Sequence, residues 1–486
     1  MNGGKKTEAR RKSVLNYQKK MPKSIYLAPS IYRQMNFFQE DSMSNTCRNL
    51  TEEDLKNIKT KKILKYIDLF SGLGGLRIGL EQALKEFGLQ GECVFSSEIK
   101  EHALSAYNTY FKEDHCAIDI TKIVAKDIPD FDILLAGFPC QAFSSAGKRL
   151  GFYDTRGTLF FDIERILKEK LPSAFILENV EGLITHDKGR TLKIILDSLR
   201  NLGYNVNYAL LNGQNFGLAQ FRNRVYIVGT FTSYVPLDNF EYTFSSFQDI
   251  QEYGKKTVNS FFTSQVLSHF KLEDLFGKTI KDTRGGKNNI HSWDIELKGE
   301  VTDCQKALLS KLLRERRKKH WADKIGITWM DGMPLTTKQI STFFFSDNLQ
   351  EMLDDLTEKG YLVLEHPKER IGNQRKFDVT KDKGYNIVTG KLSFEFSSFQ
   401  DPNDVTPTLV ATDVSKIGVI DNGGIRELTI KEGLRLFGFP EDYSLSFLKK
   451  SDAFDLLGNT VCVPVIKEIS KNVIYALFKT KESTDT

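Results

Sequence analysis

The sequence predicts an α/β protein with a parallel sheet and helices on both of its faces. Three observations lead to this fold class. Apolar runs typical of buried strands alternate with segments of helical spacing between residues 63 and 229. A glycine-rich turn follows the first of these strands, and a carboxylate or a cysteine follows several others. After Thr230 the alternation stops, and clear periodicity returns only towards the C-terminus.

The elements can be assigned in chain order. The first strand, at 63–70, ends in the turn Ser71-Gly72-Leu73-Gly74-Gly75 and leads into a helix at 76–87. Later strands are predicted at 93–97, 132–136 and 174–177, with helices at 101–111, 159–170 and 190–202 and a hairpin-like pair at 204–211 and 224–229. We expect an irregular region at 231–425, then periodic segments at 429–436 and 463–478.

Composition excludes several classes of protein. The 486 residues are 40% hydrophobic and 27% charged, which is typical of a folded domain rather than a disordered or collagen-like chain. No run approaches the ~18–20 apolar residues of a membrane helix, and no apolar signal-peptide core follows the basic N-terminus. The six cysteines form no CxxC pair, so we expect reduced thiols, no metal site and a cytoplasmic location.

The turn after the first strand predicts a nucleoside site. Gly72 and Gly74 allow a sharp turn and a close approach of a ligand to the backbone. Arg77 occupies the position of the third glycine of a dinucleotide fingerprint, which disfavours pyrophosphate and favours S-adenosylmethionine. Glu98 follows the second strand, where it can accept from ribose hydroxyls. Asp119, at the end of a presumed third strand, can accept from an adenine amino group.

A second group of residues at the same strand ends has catalytic character. Cys140 follows the strand at 132–136 and precedes the polar loop 141–157, the placement of a nucleophile beneath a movable lid. Glu178 ends the next strand, and Arg222 and Arg224 enter a later one at alternate positions. Each residue has an ordinary alternative: an inert buried thiol, a helix-capping acid and a pair of surface arginines.

Seven short motifs follow one another along the chain. They are Asp-Leu-Phe-Ser-Gly-Leu-Gly-Gly (68–75), Gly-Phe-Pro-Cys-Gln (137–141), Arg-Gly-Thr-Leu-Phe-Phe (156–161), Glu-Asn-Val (178–180), Gln-x-Arg-x-Arg (220–224), Glu-Gly-Leu-Arg-Leu-Phe-Gly-Phe-Pro (432–440) and Gly-Asn-Thr-Val (458–461). In this order and spacing, they resemble the motifs of the C5-cytosine-specific DNA methyltransferases of bacterial restriction–modification systems. The resemblance implies a Rossmann-like, S-adenosylmethionine-dependent methyltransferase domain.

The resemblance also implies roles for individual residues. Cys140 matches the nucleophile that adds to C6 of a flipped-out cytosine, and Glu178 matches the acid that contacts N3 and the exocyclic amine. Arg224 matches the arginine on the O2 side, and Arg222 is its partner. The cofactor positions are Phe70, Gly72, Gly74, Glu98, Ile99, Asp119, Ile120, Pro139, Leu159, Asn459 and Thr460. Two residues depart from the family: Ile99 replaces a common tryptophan against adenine, and Ile118 replaces the usual glycine before the aspartate.

The resemblance divides the chain into four parts. They are a basic extension at 1–62, a catalytic part at 63–230, an inserted target-recognition region at 231–425, and a return to the catalytic domain at 426–486. Pro407-Thr408-Leu409-Val410 matches the threonine–leucine element of the inserted region. We expect DNA contacts from the glycine-containing segment at 284–289, from a basic run around 311–324 and from the residue after the nucleophile; the candidates are Gln141, Arg284, Lys311, Arg316, Arg317, Lys318 and Lys319.

The leading interpretation is a sequence-specific DNA cytosine-C5 methyltransferase that acts on double-stranded DNA. We expect a monomer, associated with the bacterial nucleoid, that is paired functionally with a restriction endonuclease and has no membrane partner. A tRNA cytosine methylase on the same core is a second interpretation, although its inserted region would be much shorter. A binding or regulatory protein that keeps the fold without activity is a third, which the presence of Cys140, Glu178 and Arg224 disfavours.

Overall fold

The structure is a computed structural model that describes residues 63–138, 159–371, 374–389, 394–412 and 414–478. Its strands are β1 Ile63–Leu69, β2 Gln90–Ser97, β3 Ile133–Gly137, β4 Ala174–Val180, β5 Asn205–Asn212, β6 Asn223–Thr230, β7 Thr279–Ile280, β8 Asn289–Ile290, β9 Leu362–Glu365, β10 Lys368–Ile371, β11 Gln374–Phe377, β12 Gly384–Ile387, β13 Ser398–Phe399, β14 Ile417–Asp421 and β15 Gly424–Glu427.

The helices fall into the same regions of the chain. They are α1 Gly75–Glu86, α2 Glu101–Phe111, α3 Leu159–Lys170, α4 Gly182–Thr185, α5 Arg190–Asn201, α6 Phe261–His269, α7 Asp303–Glu315, α8 Lys319–Ile325, α9 Thr337–Ser341, α10 Leu349–Glu358, α11 Ile430–Leu436, α12 Lys450–Asn459 and α13 Val463–Phe478. None of these helices is long and apolar enough to cross a membrane, within the part of the chain that is described.

A six-stranded sheet with the order β2-β1-β3-β4-β6-β5 forms the centre of the α/β part. The pairs β1–β2, β1–β3 and β3–β4 are parallel, whereas β6 runs antiparallel to both of its neighbours, β4 and β5. The predicted α/β class is therefore confirmed, with one reversed strand. Since β1, β3 and β4 point the same way, their carboxyl ends meet at one edge of the sheet, where ligands bind in open α/β folds.

Both faces of this sheet are buried, which is why its central strands are continuous apolar runs. Leu64 and Tyr66 of β1 belong to a core shared with α1 and α13, and Ile67 and Leu69 belong to a core shared with α3 and α5. The alternation follows from the two-residue side-chain period of a strand. Helices on both faces were predicted from the sequence, and the structure has them there.

Helix α1 lies very close to α13, so the C-terminal segment packs on the sheet. A Cβ on Gly79 would fall 2.6 Å from Cβ of Ile466, and one on Gly75 would fall 2.7 Å from Cγ2 of Val461. Only glycine leaves room for this approach. The contact places residues 460–466 beside the glycine turn that follows β1.

Arg77 occupies the position of the third glycine of a dinucleotide fingerprint, and the contacts of its side chain explain why a glycine is absent there. Its guanidinium is buried and donates from Nη1 and Nη2 to the two carboxylate oxygens of Glu113, both at 2.8 Å. It also lies 3.7 Å from the ring centroid of Phe111. Arg77 therefore ties α1 to α2 and the segment that follows it, a bidentate pair with a cation–π contact that a glycine could not supply.

Residues 231–425 are more regular than their sequence predicts. Helices α7 and α10 pack with β9 and β12 around a separate apolar core that includes Trp293 and Trp321. A capping box between Thr302 and Gln305 begins α7, and its four buried leucines have helical spacing. The strands here are only two to five residues long, too short for a period-2 pattern to reveal them.

Candidate active site

Glu178 and Arg224 meet at the carboxyl edge of the sheet. Glu178 lies on β4 beside Gly137, the last residue of β3, and Arg224 lies on β6, opposite Val180. Arg224 Nε is 3.0 Å from Oε1 of Glu178, and both side chains are about nine-tenths buried, at 11% exposure each. A Cβ on Gly137 would lie 3.8 Å from Oε2 of the same carboxyl. The strand ends thus hold one acid and one cation in a fixed geometry.

The environment of Glu178 favours its protonated form more than water does. Burial raises the pKa of the carboxyl, and the charges of Arg224 and Arg222 oppose this without cancelling it. A buried carboxyl with a raised pKa holds its proton to a higher pH than an exposed one does, which suits a general acid.

Arg222 occupies a different environment from Arg224. Its guanidinium is 2% exposed and donates to three carbonyls: from Nη1 to Leu409 O at 2.8 Å, and from Nη2 to Thr460 O at 2.8 Å and Gly458 O at 3.3 Å. These bonds join the start of β6 to the threonine–leucine element and to the segment after α12. Arg222 therefore acts on the site by positioning other segments, while its charge still reaches Glu178.

Two buried amides that the sequence reasoning did not single out also shape this edge. Asn179 Nδ2 donates to Phe138 O at 3.0 Å, which fixes the residue where β3 leaves the sheet. Gln220 Nε2 donates to Leu436 O at 3.0 Å, and its Oε1 accepts from Leu409 N at 3.3 Å. Asn179 lies in the motif Glu-Asn-Val and Gln220 in Gln-x-Arg-x-Arg. Their presence in these motifs could have identified both residues from the sequence.

Three of the candidate residues, Pro139, Cys140 and Gln141, lie outside the described residues, as do the loop at 141–157 and the extension at 1–62. Of the described cysteines, Cys462 is near enough to Arg222, Arg224 and Glu178 to interact with their charges. Burial nevertheless raises the pKa of its thiol to about 11. Cys462 is therefore a protonated, packed side chain, consistent with its fully buried position against Gly213.

The glycine turn after β1 is an open cradle. Phe70, Gly72 and Gly74 all have positive φ, at 56°, 53° and 74°. A Cβ on Gly72 would meet only Phe70 O, at 3.9 Å, so packing does not explain this glycine. Its N–H donates to Oε2 of Glu98 at 2.9 Å, while Oε1 of Glu98 accepts from the backbone of Ile99 and Lys100. The carboxylate is thus held in place and keeps acceptor capacity on Oε2.

The expectation of a strand before Asp119 is wrong. Residues 112–118 are all exposed or half-buried, so the segment has no buried face to pack as a strand. Its Ile118 N donates to the carbonyl of Glu98, one residue past the end of β2, at 2.8 Å. Asp119 instead caps the short turn Ile120–Lys122 and accepts from Thr121 N and Oγ1. These bonds hold the pKa of Asp119 below its ordinary value. The bond from Ile118 still places Asp119 beside Glu98, as the sequence implied.

The other predicted cofactor residues lie in different local environments. Ile120 is buried and its carbonyl accepts from Arg165 of α3, the helix that begins at half-buried Leu159. Thr460 lies against the start of α1, because a Cβ on Gly75 would be 3.5 Å from its Oγ1. Ile99 is 67% exposed and offers an apolar surface. Asn459 is exposed, and its Nδ2 donates to Asp455 O at 2.8 Å.

The predicted DNA-contacting residues do not share one exposed face. Arg284 and Lys319 are exposed, and Lys311 donates to Phe343 O. Lys318 pairs with Glu315, and Arg317 pairs with Asp331. Arg316, predicted as a DNA contact in the basic run, is only 4% exposed. The spacing of charges along the chain could not show this, because α7 ends at Glu315 and the helical pattern no longer applies.

A model of the C-5 cytosine-specific DNA methylase family matches residues 64–475. The chain belongs to this family. Its activity is therefore that of a DNA cytosine-C5 methyltransferase, with S-adenosylmethionine as the methyl donor and DNA as the substrate. This confirms the family, the type of enzyme and the cofactor that the motifs predicted.

Curated relatives align over nearly their whole length. The type II methyltransferase M.NlaIV of Neisseria lactamica is 58% identical over 422 residues, which are 85% of this chain and 99% of that protein. M.NgoBV of Neisseria gonorrhoeae is 57% identical over the same shares. M.BanI of Aneurinibacillus aneurinilyticus is 41% identical over 84% of this chain and 95% of that protein. The solved structure of the Entamoeba histolytica methyltransferase EhMeth covers 86% of this chain and 98% of that one at 16% identity and a TM-score of 0.46, too distant to support an argument.

The glycine cradle suits the methyl donor of this methyltransferase. When bound, S-adenosylmethionine supplies an activated methyl group attached to a sulfonium. Gly72 leaves space at the turn, and Oε2 of Glu98 retains acceptor capacity towards a hydroxyl donor. A ribose hydroxyl, which donates a hydrogen bond, therefore fits this carboxylate better than a phosphate does.

Replacing Arg222 with lysine should weaken the attachment of the C-terminal segment to the central sheet. One ammonium cannot serve the carbonyls of Leu409, Gly458 and Thr460 in the geometry of a guanidinium. We expect the free energy of unfolding in urea to fall by about 3 kcal/mol, with a higher KM for the cofactor because Thr460 is no longer held. Arg200→Lys, a surface control on α5, should change stability by less than about 0.5 kcal/mol; equal stability of the two variants would contradict the assignment.

Proposed function

We propose that this methyltransferase modifies one cytosine within a specific sequence of double-stranded DNA through a covalent adduct on Cys140. The observation that carries the proposal is the buried pair of Glu178 and Arg224 at the carboxyl edge of the sheet. Cys140 follows Gly137, the neighbour of Glu178, by three residues in the chain. Nucleophile, acid and cation thus come from adjacent strand ends.

Each proposed group meets a need of the reaction. C5 of cytosine is a weak nucleophile, so the Cys140 thiolate adds to C6, and electron density moves towards N3 and C5. Glu178, whose pKa is raised by burial, supplies a proton or hydrogen bond at N3. Arg224 contacts the O2 side. Once C5 carries the methyl group, a base removes the C5 proton, and the bond between C6 and sulfur breaks to restore the thiolate.

The target cytosine is flipped out of the duplex in this proposal. Glu178 and Arg224 are each only 11% exposed and lie at the end of a sheet, where a stacked base cannot reach them. Flipping costs a few kcal/mol, which binding of the surrounding DNA offsets. We assign this binding to residues 231–425, with 63–230 and 426–486 as the catalytic part. The cofactor contacts of Glu98, Asp119, Leu159, Asn459 and Thr460 belong to the same proposal.

We further propose that the biological role is protection of DNA from a cognate restriction endonuclease. The relatives M.NlaIV, M.NgoBV and M.BanI are named type II methyltransferases, and they align with 84–85% of this chain. The chain acts as a monomer in this proposal, because one polypeptide supplies the acid, both arginines and the glycine cradle.

Bisulfite sequencing of DNA from a host that expresses the protein tests this function directly. We expect 5-methylcytosine at one position of one short sequence, and much less of it in a host that carries Glu178→Gln. In vitro, the purified protein should transfer labelled methyl groups to plasmid DNA and not to tRNA. Transfer to tRNA alone, or methylation without sequence preference, would contradict the proposal.

A further inference from the structure

Two cavities share the short segment that follows α7. One has a volume of about 520 Å³ and is lined in part by Arg316 and Asn386. The other, of about 810 Å³, is lined in part by Lys287, Arg314 and Arg317. Arg316 and Arg317, which are adjacent in the chain, therefore line different cavities, and the two cavities differ in the charges of their walls.

Arg316 is a buried cation without an acidic partner. It is 4% exposed, and its one hydrogen bond to the described residues runs from Nη1 to Asn386 Oδ1 at 2.6 Å. Nε is buried and has no partner in that part of the chain, and no carboxylate there lies within ion-pair distance. Burial lowers the pKa of the guanidinium to about 10, so it stays charged at neutral pH. A buried unpaired charge is costly unless a ligand completes its bonding.

The walls of this cavity carry charges of both signs. The acids Glu365 and Asp331 line it together with three cations, Arg316, Lys368 and Arg375. Glu365 Oε1 accepts from Asn386 Nδ2 at 2.7 Å, and its other oxygen lies 3.7 Å from Lys368. The two carboxylates offset two of the three cations, so this cavity attracts a phosphate less strongly than a wall of cations alone would. The edge of a guanine instead presents two uncharged acceptors, O6 and N7, which match the paired donors of an arginine.

The second cavity is more strongly cationic, because Lys287, Arg314 and Arg317 line it. No acidic side chain lines it, and its wall includes the backbone of Gly285 and Gly286. The structure gives the side chains of Lys287 and Arg314 no carboxylate and no hydrogen-bond partner among the residues it describes. Such cations suit the phosphates of a nucleic acid backbone.

We propose that Arg316 is a specificity-determining residue that donates to the O6 and N7 edge of a guanine in the DNA target. Lys287 and Arg314 hold the phosphates beside it. This rests on the proposed function, because it assumes that residues 231–425 bind the sequence that is methylated. It goes further by naming one base of the target and the side chain that contacts it.

Methylation of a duplex library with a randomised target measures base preference, and the salt dependence of binding measures phosphate contacts. For Arg316→Gln we expect the preference for guanine at one target position to fall by roughly 10- to 100-fold, with the slope of log K against log salt unchanged. For the matched variant Arg314→Gln we expect unchanged preference and a slope smaller by about 1. Two results for Arg316→Gln would overturn the assignment. One is weaker binding to all duplexes alike with a smaller salt slope, and the other is an unchanged preference for guanine.

A second measurement does not depend on the folding of Arg316→Gln. Guanines of the target are replaced one at a time by 7-deazaguanine, which lacks the N7 acceptor, and the wild-type chain is compared with Arg316→Lys. At one position the analogue should slow the wild type by roughly tenfold and should slow Arg316→Lys much less. Equal sensitivity of the two proteins at every position refutes the inference. A wild type that methylates no duplex refutes the proposed function itself, which separates the two failures.

Discussion

Cys140→Ser should abolish methyl transfer while leaving the binding of DNA and cofactor intact. A serine hydroxyl stays protonated at neutral pH and cannot add to C6, so turnover should fall by at least about 10³-fold, as expected when a covalent nucleophile is removed. The fold should not change, because the substitution replaces one small side chain by another. Transfer of a labelled methyl group measures the loss, and a gel-shift titration shows that the duplex still binds. Turnover like that of the wild type would exclude Cys140 as the nucleophile.

Cys462 is the matched control for this experiment. It is the described cysteine whose thiol interacts with the charges of Arg222, Arg224 and Glu178, yet burial raises its pKa to about 11. A duplex with 5-fluorocytosine at the target should trap a covalent complex, since fluorine cannot leave C5 as a proton does. We expect the trapped complex with wild type and with Cys462→Ala, and none with Cys140→Ser. The reverse pattern would assign the nucleophile to Cys462.

The sequence predicts the local elements of the sheet well, for physical reasons. Helices α2 and α3 begin and end where the apolar spacing places them, at Glu101–Phe111 and Leu159–Lys170. Both have a buried stripe with helical periodicity, and this information is local. The insertion of β6 between β4 and β5 is not local, and the hairpin pattern predicts only the β5–β6 contact.

The candidate site shows the same division between local and distant information. The pair of Glu178 and Arg224 was implied by the resemblance, and the strand ends bring it together at 3.0 Å. The burial of Arg222 was not predictable, since the carbonyls it binds belong to residues 187 and 238 positions away. The burial of Arg316 within the basic run was not predictable for the same reason: Asn386, its partner, is 70 positions away.

Glu178→Gln should lower kcat by roughly 10²- to 10⁴-fold, the range for loss of a general acid, with a smaller effect on DNA affinity. The amide keeps the shape of the side chain and a hydrogen-bond donor, but it cannot supply a proton to N3. Glu181→Gln is the matched control. It makes the same change three residues later on an exposed side chain that accepts from Asn223, and it should retain turnover close to that of the wild type. Loss of activity in both variants would point to disruption of the strand end instead of removal of an acid.

The pH dependence of Glu178→Gln provides a second test, with a sign that follows from the raised pKa of the buried carboxyl. In wild type, kcat should fall as pH rises through that pKa, because the acid form is lost; in the variant this descending limb should disappear. The free energy of unfolding depends on the protonation of the same carboxyl. Between the ordinary glutamate pKa and the raised one, the folded protein holds a proton that the unfolded chain has released, so the free energy of unfolding falls with rising pH. Glu178→Gln should lack this loss, and unfolding titrations at several pH values measure it without any catalysis. A wild type whose stability rose with pH relative to the variant would mean that the ion pair with Arg224 keeps Glu178 ionised, and the proton at N3 would then have to come from another group.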